Sequence, residues 1–119
     1  MTQQFFGQSL PQISVEELAT RLEEPPKHLQ LIDVRENQEL EFAYLEGFEH
    51  LPLSEFAEWS DQIFTRFDPD IETLVLCHHG SRSAQMTQWL LRQGFTNVKN
   101  IEGGIDAYSL VIDRSIPRY

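Results

Sequence analysis

Apolar positions along the chain change their spacing repeatedly, and each change marks an element. Val15, Leu18, Ala19 and Leu22 recur at helical steps, the spacing of one buried helix face. Ser14 precedes them and Glu17 follows three residues on, a capping box. A helix of about two turns therefore starts at Ser14, and Pro25-Pro26, which cannot continue it, ends it. A short extended piece around Gln12-Ile13 leads in. Leu29 to Val34 is a short, mostly apolar run and reads as a buried strand. Arg35-Glu36-Asn37-Gln38 breaks it and opens a short helical stretch through Phe42. After a turn at Gly47, Phe48-Glu49-His50-Leu51 alternates as a short strand that Pro52 stops. From a cap at Ser54, Phe56, Trp59, Ile63 and Phe67 line one face of a continuous helix up to Asp68-Pro69-Asp70.

Ile71 through Leu76 carries no charge after Glu72 and reads as the central strand. Cys77-His78-His79-Gly80-Ser81-Arg82-Ser83 follows, then a helical run over Ala84 to Leu91 with Met86, Trp89, Leu90 and Phe95 toward the core. Gly94 stands where a C-cap glycine belongs, and Phe95 can pack back on the last turn. Asn97 to Ile101 is a last short strand. Gly103-Gly104 opens a final helix through Ile112, and residues 115–119 read as tail. Residues 1–10 show no periodicity and read as a flexible N-terminal arm, leaving a single domain over 11–119. Alternation of strands and helices argues an α/β domain with a mainly parallel sheet covered by helices on both faces. In such sheets reactive groups gather at the carboxyl ends of strands. Cys77 and Asp33-Val34-Arg35 both lie at such ends.

Charge and cysteine content narrow the function. Nineteen acidic residues against nine basic give a formal charge of −10, which repels nucleic acid and anionic membrane surfaces and serves solubility. No apolar run approaches the ~20 residues of a membrane-spanning helix. The first residues, Met1-Thr2-Gln3-Gln4-Phe5-Phe6, lack the basic and apolar regions of a signal peptide. The single cysteine rules out an internal disulfide and fits a reducing, cytoplasmic setting.

That cysteine sits where a buried strand turns into a helix. The loop's N–H groups and the helix dipole both favour a thiolate, so Cys77 is the candidate nucleophile. Gly80 lets the backbone curl around it. Arg82 offers a fixed charge for an oxyanion, or else pairs with a nearby carboxylate and shapes the loop. Ser83 caps the following helix or donates to the sulfur. His78 and His79 contribute loop backbone, with side chains exposed or at the rim. Adjacent loop residues rarely converge on one ion, and no zinc-type spacing is present, so no metal is expected. Asp33 is expected to satisfy backbone N–H groups. Arg35 is expected to pair with Glu36 or Glu39, or to reach the pocket rim. Trp59 and Trp89 read as core, and Gly103-Gly104 as close packing.

These pieces together resemble the single-domain rhodanese-like sulfurtransferases. Those that carry the resemblance are Asp33-Val34-Arg35-Glu36, Gly47 with Leu51-Pro52-Leu53, the Cys77 to Ser83 loop, Gly94-Phe95 with Val98, Glu102 to Tyr108 and Ile116 to Tyr119. Tyr44 and Tyr108 depart from it, where many relatives carry histidine and tryptophan. The resemblance implies a five-stranded sheet. It also implies that Cys77 takes sulfane sulfur from a donor such as thiosulfate and passes it to cyanide or a thiol, the acceptor being small or a protein. A covalent persulfide on Cys77 would be the only intermediate, with no bound cofactor, and the Cys77 to Ser83 loop would hold it.

Three alternatives stand beside this reading. A phosphatase of the same fold family would place five residues between cysteine and arginine, whereas four separate Cys77 from Arg82. A non-enzymatic module of the family commonly lacks the cysteine. A redox sensor would oxidise Cys77 and need an external thiol to restore it.

Overall fold

The structure is a computed structural model and describes residues 10–119; nine of the ten arm residues lie outside it. Five strands form one parallel sheet: β1 (Gln12–Ile13), β2 (Gln30–Asp33), β3 (Glu49–His50), β4 (Thr73–Leu76) and β5 (Val98–Ile101). Their spatial order is β1-β5-β4-β2-β3. The helices are α1 (Val15–Glu23), α2 (Asn37–Phe42), α3 (Phe56–Trp59), α4 (Ile63–Arg66), α5 (Ser81–Gln93) and α6 (Gly104–Val111). The α/β class and the five-stranded sheet with helices on both faces hold.

All four residues of β4 are buried, because side chains of a central strand alternate between two covered faces. Val75 and Cys77 pack on one side with Trp59, Ile63, Met86, Leu90 and Phe95. Leu74 and Leu76 pack on the other with Val15, Leu18, Ile105 and Tyr108. From β2 the chain runs outward to β3, and from β4 it runs the opposite way to β5. The direction reverses between β2 and β4, so the crevice beyond their carboxyl ends is the natural site. Cys77 follows β4 directly, and Val34-Arg35 follow β2.

Local signals account for several boundaries. Ser14 Oγ accepts from the Glu17 N–H, and Glu17 Oε1 accepts from the Ser14 N–H, both at 3.1 Å. Gly94 closes α5 at φ 110°, and Phe95 N–H donates to the Leu90 carbonyl at 3.0 Å, which seats Phe95 in the core.

Two expectations fail. The continuous helix from Ser54 is instead two short α turns separated by a 3-10 turn at Ser60–Gln62, with another 3-10 turn at Leu53–Glu55. Ser60 and Asp61 compete for backbone hydrogen bonds inside a helix, and the Trp59 indole N–H reaches back to the Pro52 carbonyl at 2.9 Å. Ser54 caps nothing and donates to Glu36 instead. The second failure is the tail. Ser109 Oγ donates to the Ile116 carbonyl at 2.6 Å, and Ile116 and Tyr119 pack on the Leu74 side of the core.

The amino end of α6 presses on the Cys77 loop. Ile105 and Asp106 N–H groups donate to the Cys77 and His78 carbonyls at 2.9 and 3.1 Å. Gly104, at φ +64°, stands so close that an added Cβ would sit 2.5 Å from the Cys77 carbonyl oxygen and collide with His78. We expect Gly104→Ala to cost about 2–4 kcal/mol from strain and overpacking, measured by denaturant unfolding. A loss below about 0.5 kcal/mol would contradict this contact.

Candidate active-site loop

Cys77 is fully buried. Two hydrogen-bonding groups stand against its sulfur: the Gly80 N–H at 3.0 Å and the Ser83 hydroxyl oxygen at 3.2 Å. Gly80 is the N-cap of α5 at φ +106°, a conformation that favours glycine. There a Cβ would also stand 3.2 Å from the Gly103 nitrogen. The helix thus begins at Ser81, earlier than its apolar spacing indicates. Ser83 is therefore not a cap; it lies inside the first turn with its side chain buried against the sulfur.

The buried Asn100 on β5 ties this arrangement together. Its Nδ2 donates to the Gly80 carbonyl at 3.1 Å, and its Oδ1 lies 2.5 Å from Ser83 Oγ. Sequence reading missed it because a polar residue in a short strand carries no signal of what lies opposite.

Arg82 makes no hydrogen bond to the sulfur and forms a paired contact with Glu39 of α2, at 2.6 and 2.9 Å. The Arg82 hydrogen bonds, with smaller help from the Glu36 N–H and Tyr119, pull the Glu39 carboxyl down to about 2 against the cost of burial. Tyr119 OH donates to Glu39 Oε2 at 2.8 Å and accepts from Arg35 Nη1 at 3.0 Å. Burial, and then the acceptor Glu39, push the Tyr119 phenol up to about 12.

Arg35 corrects an expectation. It is 0% exposed, so it is not at the rim and pairs with neither Glu36 nor Glu39. Asp33, two residues back, takes its Nη2 at 2.8 Å and its Nε at 3.0 Å. Asp33 also accepts from the Arg35 backbone N–H at 3.0 Å. A buried guanidinium needs such a partner, and the nearest carboxylate on the same turn out of β2 supplies it.

His78 stacks on Tyr119 at 3.8 Å and on His79 at 3.9 Å. Burial and the neighbouring His79 lower the His78 imidazole below its ordinary value, and its Nε2 is enclosed without a hydrogen-bond partner among the described residues. The His79 side chain is 62% exposed. Asp106 of α6 brings a carboxylate into the same neighbourhood, so that ligand atoms of His78, His79 and Asp106 lie within 4.8 Å of one another. Asp106 is already engaged by Arg118 Nε at 2.9 Å. Of the two departures, Tyr44 is exposed and Tyr108 is core. The clefts lined by residues 64–70 and by residues 40–44 with 115–117 do not include Cys77. No helix among the described residues is long and apolar enough to cross a membrane.

Comparison with known proteins places this geometry. Residues 14–110 match the Rhodanese-like domain family. The chain is 49% identical over 109 residues to the Rhodanese-like/PpiC domain-containing protein 12, chloroplastic, of Arabidopsis thaliana, covering 90% of this chain and 36% of that protein. It is 32% identical over 82 residues to the thiosulfate sulfurtransferase GlpE of Vibrio cholerae, covering 69% of this chain and 74% of that one. Among solved structures, a rhodanese-like domain protein from Staphylococcus aureus superposes with a TM-score of 0.73 at 25% identity, covering 92% of this chain and 98% of that chain. The chain thus spans little more than a third of the Arabidopsis relative.

Glu39 predicts a pH dependence. Its folded pKa of about 2 lies below its ordinary 4.5. The stability it supplies is therefore complete above 4.5 and is lost as the pH falls from there toward 2. Glu39→Gln should unfold more easily than the parent by about 1–3 kcal/mol at pH 7, with the gap closing between pH 4.5 and pH 2 in denaturant titrations. A gap independent of pH would refute the ionic role.

Proposed function

The chain belongs to the rhodanese-like domain family, and on that footing we propose that it is a sulfurtransferase working through a persulfide on Cys77. The observation that carries this reading is the pair of hydrogen-bonding groups, Gly80 N–H and Ser83 hydroxyl, set at 3.0 and 3.2 Å from a sulfur at the end of the central strand. The Gly80 N–H already stands where charge will reside and needs no reorganisation when the reaction begins.

The Cys77 thiolate attacks the outer sulfur of a donor such as thiosulfate. A new S–S bond forms, the donor's S–S bond breaks, and sulfite leaves with the bonding pair. Cyanide or a thiolate then attacks the outer sulfur of the persulfide. Thiocyanate or a new persulfide leaves, and the Cys77 thiolate is restored. This is two-step covalent transfer with ping-pong kinetics. No metal or cofactor takes part in these steps. Burial of the sulfur keeps water from the persulfide. A compartment that keeps the lone thiol reduced suits this chemistry, and the acceptor is a small thiol or a protein thiol rather than a nucleic acid.

Arg82 serves this loop in two ways. In the structure it is clasped by Glu39, which anchors the first turn of α5 to α2. Its side chain is still 33% exposed, and its charge sits on the first turn of α5, next to the loop that an anionic donor must reach. Its role is therefore to steer and orient the donor rather than to touch the reacting sulfur.

The direct test is intact mass after incubation with thiosulfate, followed by thiocyanate release on adding cyanide. We expect a gain of one sulfur on Cys77 that cyanide removes. Cys77→Ser should abolish both with little loss of stability. Absence of sulfur uptake, with hydrolysis of an aryl phosphate instead, would overturn the proposal. Separately, Arg82→Ala should raise KM for thiosulfate about 10-fold, the order expected for loss of one charged contact, with kcat changed less. Unchanged KM would remove Arg82 from donor binding.

A further inference from the structure

Ser83 faces two acceptors with one proton. Its Oγ lies 3.2 Å from Cys77 Sγ and 2.5 Å from Asn100 Oδ1. The Gly80 carbonyl settles which atom of the Asn100 amide faces which way. A carbonyl only accepts, so the amide nitrogen must be the atom 3.1 Å from it. The same nitrogen faces Gln12 Oε1 at 3.1 Å. The Asn100 oxygen therefore faces Ser83 and carries no proton of its own, so the Ser83 hydroxyl donates to it.

With its only proton committed to Asn100, Ser83 can meet the sulfur only as an acceptor. A neutral thiol supplies the missing proton, completing a buried chain from Sγ–H to Ser83 Oγ and from Ser83 O–H to Asn100 Oδ1. The chain cannot survive ionisation. Once the sulfur has lost its proton to solvent, or carries an anionic outer sulfur, it accepts rather than donates. A hydrogen bond to an anion is the stronger one, so the hydroxyl turns about its Cβ–Oγ bond toward the sulfur. Asn100 Oδ1 is then left without a donor. The Gly80 N–H at 3.0 Å serves both states, since it has no competing acceptor.

We propose that Asn100 is the positioning residue of this site: it holds the Ser83 hydroxyl off the sulfur while Cys77 is a thiol and releases it when the sulfur becomes an anion. Asn100 is buried and does not touch the sulfur; it acts through Ser83 and, by tethering the Gly80 carbonyl, through the turn that aims the Gly80 N–H. The consequence is a hydrogen bond withheld from the resting thiol and reserved for the charged persulfide. This assignment rests on Cys77 being the reactive sulfur of the proposed transfer, but its test reads the free thiol and requires no turnover.

The test is a double-mutant cycle on the pH dependence of Cys77 alkylation by iodoacetamide, with intact mass as readout. Cys77 is the only cysteine of the chain, so all label reports on it. The four proteins are the parent, Asn100→Ala, Ser83→Ala and the double variant. The charged and titratable groups around the loop (Arg82 with Glu39 of α2, His78 and His79, Asp106 of α6, and Asp33 with Arg35 after β2) are present in all four and cancel. So does the loss of the Gly80 tether. With Ser83 present, Asn100→Ala frees the hydroxyl for the thiolate. The midpoint should then shift lower, by roughly half to one pH unit, relative to the same substitution in the Ser83→Ala background. Equal shifts in the two backgrounds would overturn the proposal, leaving Asn100 as a tether alone. If Asn100→Ala does not fold, Asn100→Val, an apolar strand former, takes its place in the same cycle with the same two outcomes. Failure of thiosulfate uptake in the parent would bear on the transfer reading and leave this comparison intact.

Discussion

The carbonyls of Cys77 and His78 end on the N–H groups of Ile105 and Asp106, and the rest of the site depends on that junction. Two elements that share no sequence proximity meet backbone to backbone. Only a residue without a side chain fits between them, and Gly104 supplies it at a positive φ. With its carbonyls held by α6, the loop leaves its remaining polar groups to face inward. The Gly80 N–H then reaches the sulfur, and the Gly80 carbonyl reaches Asn100. Gly80, also at positive φ, comes close to the Gly103 nitrogen, and Gly103, at positive φ too, is crowded by Ala107 one turn along α6.

Around this backbone core the charged side chains are arranged in pairs. An acidic chain with a formal charge of −10 has few cations to spend near the loop. Arg35 is turned inward onto Asp33, and Arg82 is held by Glu39. Tyr119 joins the two pairs, accepting from Arg35 and donating to Glu39. It also stacks on His78 at 3.8 Å. The network ties β2, α2, the Cys77 loop and residue 119 into one unit, so the loop's shape depends on residues from both sides of the sheet. The Arg82 guanidinium keeps its charge at any working pH, because the Glu39 contact raises its pKa further.

Periodicity was sufficient for elements whose boundaries are set by short-range chemistry. The Ser14 and Glu17 box, the stop at Pro25-Pro26 and the Gly94-Phe95 close of α5 all follow from residues within a turn of one another. It failed at residues 54–67, where the apolar spacing fits one helix. There the Ser60-Asp61 pair and the Trp59 to Pro52 hydrogen bond break it into short turns. It also failed at residues 115–119, which look featureless and are held by partners as far away in sequence as Arg35 and Glu39. The partner of Arg35 was misjudged for a similar reason. Glu36 and Glu39 are near in sequence, but the turn out of β2 sends the side chain inward, where it meets Asp33.

For the candidate site, the sequence by itself determined the candidate nucleophile and its setting: one cysteine, after an uncharged apolar run, followed by a glycine and a helix. Those facts depend on composition and local order, which a linear reading contains. The tertiary structure alone decided who serves that atom. Ser83 moved from helix cap to sulfur neighbour because α5 starts at Ser81. Asn100 entered the site because β5 lies beside β4, and Arg82 is clasped by Glu39 because α2 presents that carboxylate to it. Each is a contact between segments brought together by the parallel sheet, and strand order across a sheet is set by packing of whole layers rather than by any short run of residues.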